Sequence, residues 1–187
     1  MIKCIFALAC LLVMASTAFA QEARRPPKVL ITYFSHTNNT RTIAEMIQKM
    51  VGGDMFRVAR KAPYPQVHQQ TDNIAKDEHY GNARPELAQT ISAEDMKQYD
   101  VIFVGFPSWY HTLPMVYFTF LEQYDLSGKI LVPFCTHEGS GLGNGPNDLN
   151  RLQPNARVVQ GLALRGRSVR TAENDVRNWL RNLGFIR

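Results

Sequence analysis

The chain has 187 residues, 45% hydrophobic and 20% charged, with 21 Lys and Arg against 16 Asp and Glu. That is room for one ordinary domain with its own core, and it excludes a disordered tail. A net charge of +5 is too small to indicate nucleic acid.

The first twenty residues hold seventeen apolar side chains, one charge (Lys3) and no acid. Lys3, the apolar run Ile5 to Ala15 and the small-x-small Ala18-Phe19-Ala20 predict a signal peptide over 1–20, cleaved after Ala20. A retained anchor is the alternative, since the run approaches spanning length, but Ser16 and Thr17 dilute its end. The mature chain would then be periplasmic or secreted, with no stable membrane span and a charge of +4 from 20 bases and 16 acids. Cys4 and Cys10 leave with the leader, so Cys135 alone remains and a disulfide-stapled monomer is excluded.

Residues 21–27 end in two prolines and read as a short tether, and 28–187 read as one domain. Val29 to Phe34 is apolar on both faces, as in a central strand of a parallel sheet. The polar Ser35-His36-Thr37-Asn38-Asn39-Thr40 follows, and then a helix with Ile43, Ala44, Ile47, Met50 and Val51 at helical spacing, stopped by Gly52-Gly53. Met55 to Val58 is a weaker strand. Lys61 to Pro85 is a long polar segment that admits a short helix over Val67 to Ala75, and a loop of that size usually has a function. A helix is predicted over Glu86 to Gln98 and a strand over Val101 to Phe106, broken by Pro107-Ser108-Trp109-Tyr110-His111. Pro114 opens a helix over Met115 to Tyr124. Lys129 to Cys135 is a buried strand that ends in Thr136-His137-Glu138-Gly139-Ser140-Gly141-Leu142-Gly143. A short helix over Asn147 to Leu152, a strand over Arg157 to Leu164 and an amphipathic helix over Ala172 to Leu183 close the chain. Alternating strands and helices predict an α/β domain with a doubly wound parallel sheet, helices on both faces.

Three central strands thus end in polar or Gly-rich loops, 35–40, 107–112 and 136–143, which share the carboxyl edge where such sheets bind ligands. The first loop offers hydroxyls, amides and a helix N-terminus, the donors a phosphate needs, although Thr37 or Asn38 as a plain helix cap would look the same. No Gly-Lys-Ser/Thr follows, so it is not a P-loop. Trp109 and Tyr110 at a strand end either stack on a flat ligand or cover the sheet edge. Glycines 139, 141 and 143 allow close backbone approach to a ligand, or form a plain turn.

Tyr33-Phe34-Ser35-His36-Thr37-Asn38-Asn39-Thr40-Arg41 resembles the phosphate loop of flavodoxins, Ser/Thr-x-Thr-Gly-Asn-Thr. Gly105-Phe106-Pro107-Ser108-Trp109-Tyr110, with Pro114 following, is similar to the Gly-x-Pro-x-Trp-Trp/Tyr loop of the short flavodoxin-like subgroup, and Pro133 to Gly143 to that subgroup's third loop. The resemblance covers about Lys28 to the C-terminus. It implies a flavodoxin-like five-stranded sheet of order 2-1-3-4-5 and a bound FMN. By resemblance, Ser35, Thr37, Asn39 and Thr40 hold the phosphate. Pro107, Ser108, Trp109 and Tyr110 flank the ring and ribityl chain, with Trp109 or Tyr110 stacking. Thr136, His137, Gly139 and Ser140 lie on the pyrimidine side.

Two positions depart from the pattern. Asn38 stands where the family usually has Gly, and Asn is the next best residue for a left-handed conformation. Glu138 replaces a common second Gly and either faces the flavin or points to solvent. His36, His111 and His137 lack a regular metal-ligand spacing, so they read as partners of phosphate, ring edge or substrate, and no metal is expected. Cys135 reads as core, and no catalytic nucleophile is needed.

The expected function is exported electron transfer from a membrane or protein donor to a protein, quinone or small-molecule acceptor. NAD(P)H is not expected outside the cytoplasm. The alternative is an FMN-dependent NAD(P)H/quinone oxidoreductase whose acceptor pocket is capped by 61–85, with Tyr64 and either His68 or His79 reaching inward. A binding module that has lost its flavin is a third class. The basic balance points to an acidic redox partner or an anionic membrane surface.

Overall fold

A computed structural model describes residues 25–187; the expected leader and the first part of the tether lie outside the described residues. The middle of the sheet is β1 (Val29–Tyr33), β3 (Val101–Pro107) and β4 (Ile130–His137). β2 (Asp54–Arg57) flanks β1, while β5 (Arg157–Val158) and β6 (Leu162–Arg165) both pair with β4. Every strand pairing within the sheet is parallel, as the alternation of elements predicts, and the order is β2-β1-β3-β4-β5, as the family resemblance implies.

The central strands are largely apolar because both faces are covered, and the hydroxyl of the buried Thr32 in β1 donates to Phe103 O. Leu30, Ile102, Val104, Phe106, Leu131 and Cys135 pack on one side, against α4 (Met115–Leu121) and Leu149 of α5 (Gly145–Leu152). Val29, Ile31, Val101, Phe103, Val132 and Phe134 pack on the other, against α1 (Asn39–Val51) and α6 (Glu173–Asn182). Successive side chains point to opposite faces, so an unbroken apolar run fills two cores at once. Within α6, Val176, Trp179 and Leu180 are buried as the periodicity predicts. Among the described residues no helix is long and apolar enough to cross a membrane.

Three elements differ from expectation. The single strand expected over 157–164 is split. Leu131 O accepts from Val159 N at 3.0 Å, so the alternate residues Leu131, Pro133 and Cys135 address this outer position. Pro133 brings no N–H, and the ladder is interrupted beside it. The expected helix over 86–98 shrinks to α3 (Ala93–Lys97), because Ser92 caps it by accepting from Asp95 N. The residues before it run extended along the chain after β2, with Lys61 N donating to Glu86 O and Ala88 N to Ala59 O. Conversely, the 61–85 segment contains a full helix, α2 (His68–Tyr80), longer than the short one the sequence admits.

Gly105, in the middle of β3, permits the close packing of Phe134 on β4. A Cβ there would lie 2.1 Å from the Phe134 ring. Gly105→Ala is therefore expected to lower stability by about 1–3 kcal/mol through overpacking, read as a lower urea midpoint at unchanged slope. A midpoint equal to the parent's would show that the ring moves aside freely.

Candidate flavin site at the carboxyl edge of the sheet

All three loops open onto one cleft of about 830 Å³. His36, Thr37, Asn39 and Thr40, Pro107 to His111, and Thr136 to Ser140 line it; Ser35 and Asn38 do not. Those two shape the first loop. Ser35 is buried and its Oγ accepts from Arg41 N at 3.3 Å. Asn38 is left-handed, φ 67°, the conformation expected of a residue replacing Gly, and caps α1 without a side-chain bond. Among the described residues the amides of Asn39 and Thr40 consequently have no backbone acceptor, leaving the helix N-terminus open to an anion. Thr40 and Thr136 share a hydroxyl–hydroxyl bond of 2.9 Å that ties the first loop to the third.

The second loop is a two-residue hairpin turn. Trp109 and Thr112 exchange backbone bonds of 3.0 Å in both directions, and between them Tyr110 (φ 50°) and His111 (φ 62°) are both left-handed. This turn normally takes Asn-Gly, so two bulky residues here store strain. Their surroundings hold it in place. Asn144 N donates to His111 O at 2.6 Å, and a Cβ on Gly143 would fall 2.1 Å from that oxygen. Thr112 Oγ1 donates to the Asp148 carboxylate at 2.5 Å, and Tyr110 Oη donates to Asp72 Oδ1 at 2.7 Å. Burial and the Asp72 bond push the Tyr110 phenol up to about 12. Trp109 is braced edge-on by Tyr64, Phe34 and His36, with ring centroids at 5.0, 5.2 and 6.1 Å.

In the third loop, Ser140 Oγ donates to Ser108 Oγ at 2.8 Å and Ser108 N to Thr136 O at 2.8 Å, which locks it to the second. Cys135 donates its thiol to Gly141 O, and burial pushes the thiol up to about 12, so it is a core residue and not a nucleophile. His137 lines the cleft with its buried Nδ1 unpartnered among the described residues. Burial first, and Arg165 second, hold its pKa below the ordinary value. Glu138 is exposed at the rim, and its backbone oxygen accepts from the Arg165 guanidinium at 2.9 Å. Gly166 sits between the Glu138 carboxylate and the Asn39 amide, where a Cβ would lie 2.5 and 2.8 Å from them.

Sequence reasoning placed the 61–85 segment and His68 over the cleft only in the alternative reading, and missed the other residues that roof the cleft. Gln66, His68, Thr71, Asp72 and Ala75 line it from α2 and its approach, and Gly166 from the far edge. His68 faces the cleft, as the capped-pocket alternative requires, whereas Tyr64 braces Trp109 and His79 stacks on Tyr110 at 5.4 Å. Gly166 was findable, since it follows a predicted strand at the carboxyl edge; nothing local marks Asp72. Helix α2 buries only Thr71, Ala75 and Glu78, and polar contacts hold it down. Thr71 Oγ1 donates to Pro65 O at 2.6 Å. Tyr64 Oη donates to Glu78 Oε2 at 2.5 Å, while Glu78 Oε1 lies 3.1 Å from Arg60 Nε in an ionic contact without hydrogen-bond geometry.

A sequence-family model described as flavodoxin matches residues 28–183. The chain belongs to the flavodoxin family. It is 32% identical to Flavodoxin 1 of Escherichia coli over 108 residues, 56% of this chain and 46% of that one, so it spans about half the length of the curated relatives it matches. Among solved structures, a protein from Bacteroides eggerthii assigned as a flavoprotein is 31% identical, with a TM-score of 0.71 over 85% of this chain and 99% of that one. A flavoprotein in complex with FMN from Lactobacillus acidophilus shares the fold at 24% identity, with a TM-score of 0.60 over 80% and 99%.

Two outcomes follow from the geometry of this flavodoxin site. His111 is exposed, so His111→Gly loses little contact while relieving a left-handed residue; it is expected to raise stability by up to about 1 kcal/mol, seen as a higher melting temperature, and an unchanged or lower value would show the turn is unstrained. Burial raises the Glu78 pKa, against the lowering effects of Tyr64 and Arg60. The folded state therefore binds its proton more tightly than the unfolded chain, and stability falls as pH rises from about 4.5 through the raised value. Urea midpoints of Glu78→Gln should lose that decline and gain on the parent with rising pH; a parent that gains on the variant would reverse the assignment.

Proposed function

We propose that this protein is an exported FMN flavoprotein that carries electrons from a membrane or protein donor to a protein, quinone or small-molecule acceptor. The observation that carries the reading is the junction of an open α1 N-terminus with the aromatic wall of one cleft. Asn38 caps α1 in a left-handed conformation, the Asn39 and Thr40 amides have no backbone acceptor among the described residues, and both residues line the cleft on which Trp109 stands braced. This donor set suits a phosphate, and the wall suits a planar ring. FMN, when bound, supplies the redox chemistry, and the protein supplies binding, orientation and electrostatics.

Export is supported by the leader pattern of residues 1–20. In an exterior compartment a soluble nicotinamide donor is not expected, which favours a carrier. The roof formed by α2 favours a second reading, an FMN-dependent NAD(P)H/quinone oxidoreductase, because it encloses His36 and His68 beside the ring wall. Steady-state turnover of NAD(P)H with quinones by purified holoprotein selects that reading; its absence selects the carrier.

The visible spectrum of the chain purified from the cell envelope, and again after adding FMN, tests the proposal. A yellow protein with a flavin spectrum is expected; a colourless one that refuses FMN overturns both redox readings. Trp109→Ala should weaken FMN binding by about 1–2 kcal/mol, roughly five- to thirtyfold, in a fluorescence titration. Unchanged affinity would show that Trp109 does not contact the ring.

A further inference from the structure

The positive charge of this chain is concentrated. Residues 151–187 hold eight arginines and two acids, a net +6, whereas residues 21–150 hold 12 bases and 14 acids, a net −2. After Lys129 every basic side chain that bears a full charge is Arg, the residue suited to carboxylates by its planar fork. Three of these arginines lie just before or just after Gly166, the residue of the far edge that lines the cleft. Arg165 ends β6 opposite His137 and holds the Glu138 backbone oxygen, and Gly166 beside it lines the cleft. The chain then enters a 3₁₀ turn, Gly166–Thr171, packed against α1. With three residues per turn, Arg167 and Arg170 fall on one side of it. Both are exposed, and neither has an acid within ion-pair distance among the described residues. The nearby Glu173 is already engaged by Arg177 at 2.9 Å. With Glu138 as the exposed acid beside Arg165, the guanidinium groups of Arg167 and Arg170 leave a positive excess next to the cleft that no ion pair among the described residues neutralises.

We propose that Arg165, Arg167 and Arg170 form a docking rim that seats a carboxylate-rich protein surface over the mouth of the cleft. This rests on the FMN carrier reading and names its partner by charge. A protein is favoured over a lipid surface by what the rim lacks. Among the described residues the exposed large hydrophobic side chains are Val67 and Tyr80, at the two ends of α2 on the roof, and none accompanies the arginines. A membrane-seeking surface combines its basic groups with apolar side chains that enter the bilayer. A rim of charge without them steers and orients a soluble partner. Transfer then requires only that the partner's redox centre approach the opening the rim surrounds.

Two variants with the same change in net charge separate location from total charge: Arg167→Glu with Arg170→Glu on the rim, and Lys49→Glu with Arg157→Glu at the opposite end of the sheet. The probes are cytochrome b5, an acidic haem protein, and cytochrome c, a basic one. Binding is titrated with and without FMN at low and high salt, and reduction rates are followed after photoreduction of the loaded protein. The expected result is binding to cytochrome b5 that weakens with salt, little to cytochrome c, and a loss of about tenfold in affinity and rate for the rim variant alone. Preference for cytochrome c, or equal loss in both variants, overturns the rim. So does salt-sensitive sedimentation with phosphatidylglycerol vesicles that the rim variant abolishes while cytochrome b5 binding is untouched. Charge-dependent binding by a chain that refuses FMN leaves the rim standing and removes the cofactor reading.

Discussion

Two-sided burial of β1, β3 and β4 is the constraint on which the rest of the molecule depends. Each is apolar on both faces, so helices must cover both, and polar chemistry is expelled to the strand ends. Parallel strands put all their carboxyl ends on one edge. The three loops that follow β1, β3 and β4 must therefore meet, and hydrogen bonds between them, Thr40 to Thr136 and Ser140 to Ser108, make the meeting a single rigid cradle. The site is a consequence of packing before it is a consequence of any loop sequence.

The roof follows a different logic. Helix α2 buries little and is fastened by polar links: Thr71 to Pro65, Tyr110 to Asp72, and Glu78 to Tyr64 and Arg60. The Arg60 guanidinium also lies over the Tyr64 ring, 4.6 Å from its centroid. The same Tyr64 braces Trp109, so the clamp that holds the roof also fixes the aromatic wall. Polar anchors of this kind fix position with little apolar area, and such elements open at lower free energy than the core. The cofactor wall is thus coupled to the least deeply buried helix near it.

That division explains what was legible. Strands whose two faces are both buried announce themselves as unbroken runs, so Val29 to Phe34, Val101 to Phe106 and Lys129 to Cys135 were readable, and with them the edge where the loops gather. Helix α2 was readable only as a possible short helix over Val67 to Ala75, because its few buried residues are Thr71, Ala75 and Glu78, which carry no apolar periodicity. Asp72 and Gln66 entered the cleft with it, unseen. The 86–98 error has a local cause: Ser92 is a helix start signal placed inside a span otherwise compatible with helix. The break between β5 and β6 was written in Pro133, but on the neighbouring strand, where a reading of 157–164 alone cannot find it.

The turn at Tyr110 and His111 shows how the site uses that rigidity. A two-residue turn of this shape would be most stable with Asn-Gly, and this chain places a phenol and an imidazole there instead. The cost is met by groups outside the turn: Asn144 on the His111 oxygen, Asp148 on Thr112, Asp72 on Tyr110, and a glycine at 143 where any Cβ would collide. Those groups come from α5, its preceding loop and α2, the elements on either side of the second loop. Strain maintained by so many independent supports is strain held for placement. It puts Tyr110 between the roof and the wall, joined to α2 by its hydroxyl and stacked on His79, so any displacement of the roof is felt at the ring that borders the cleft.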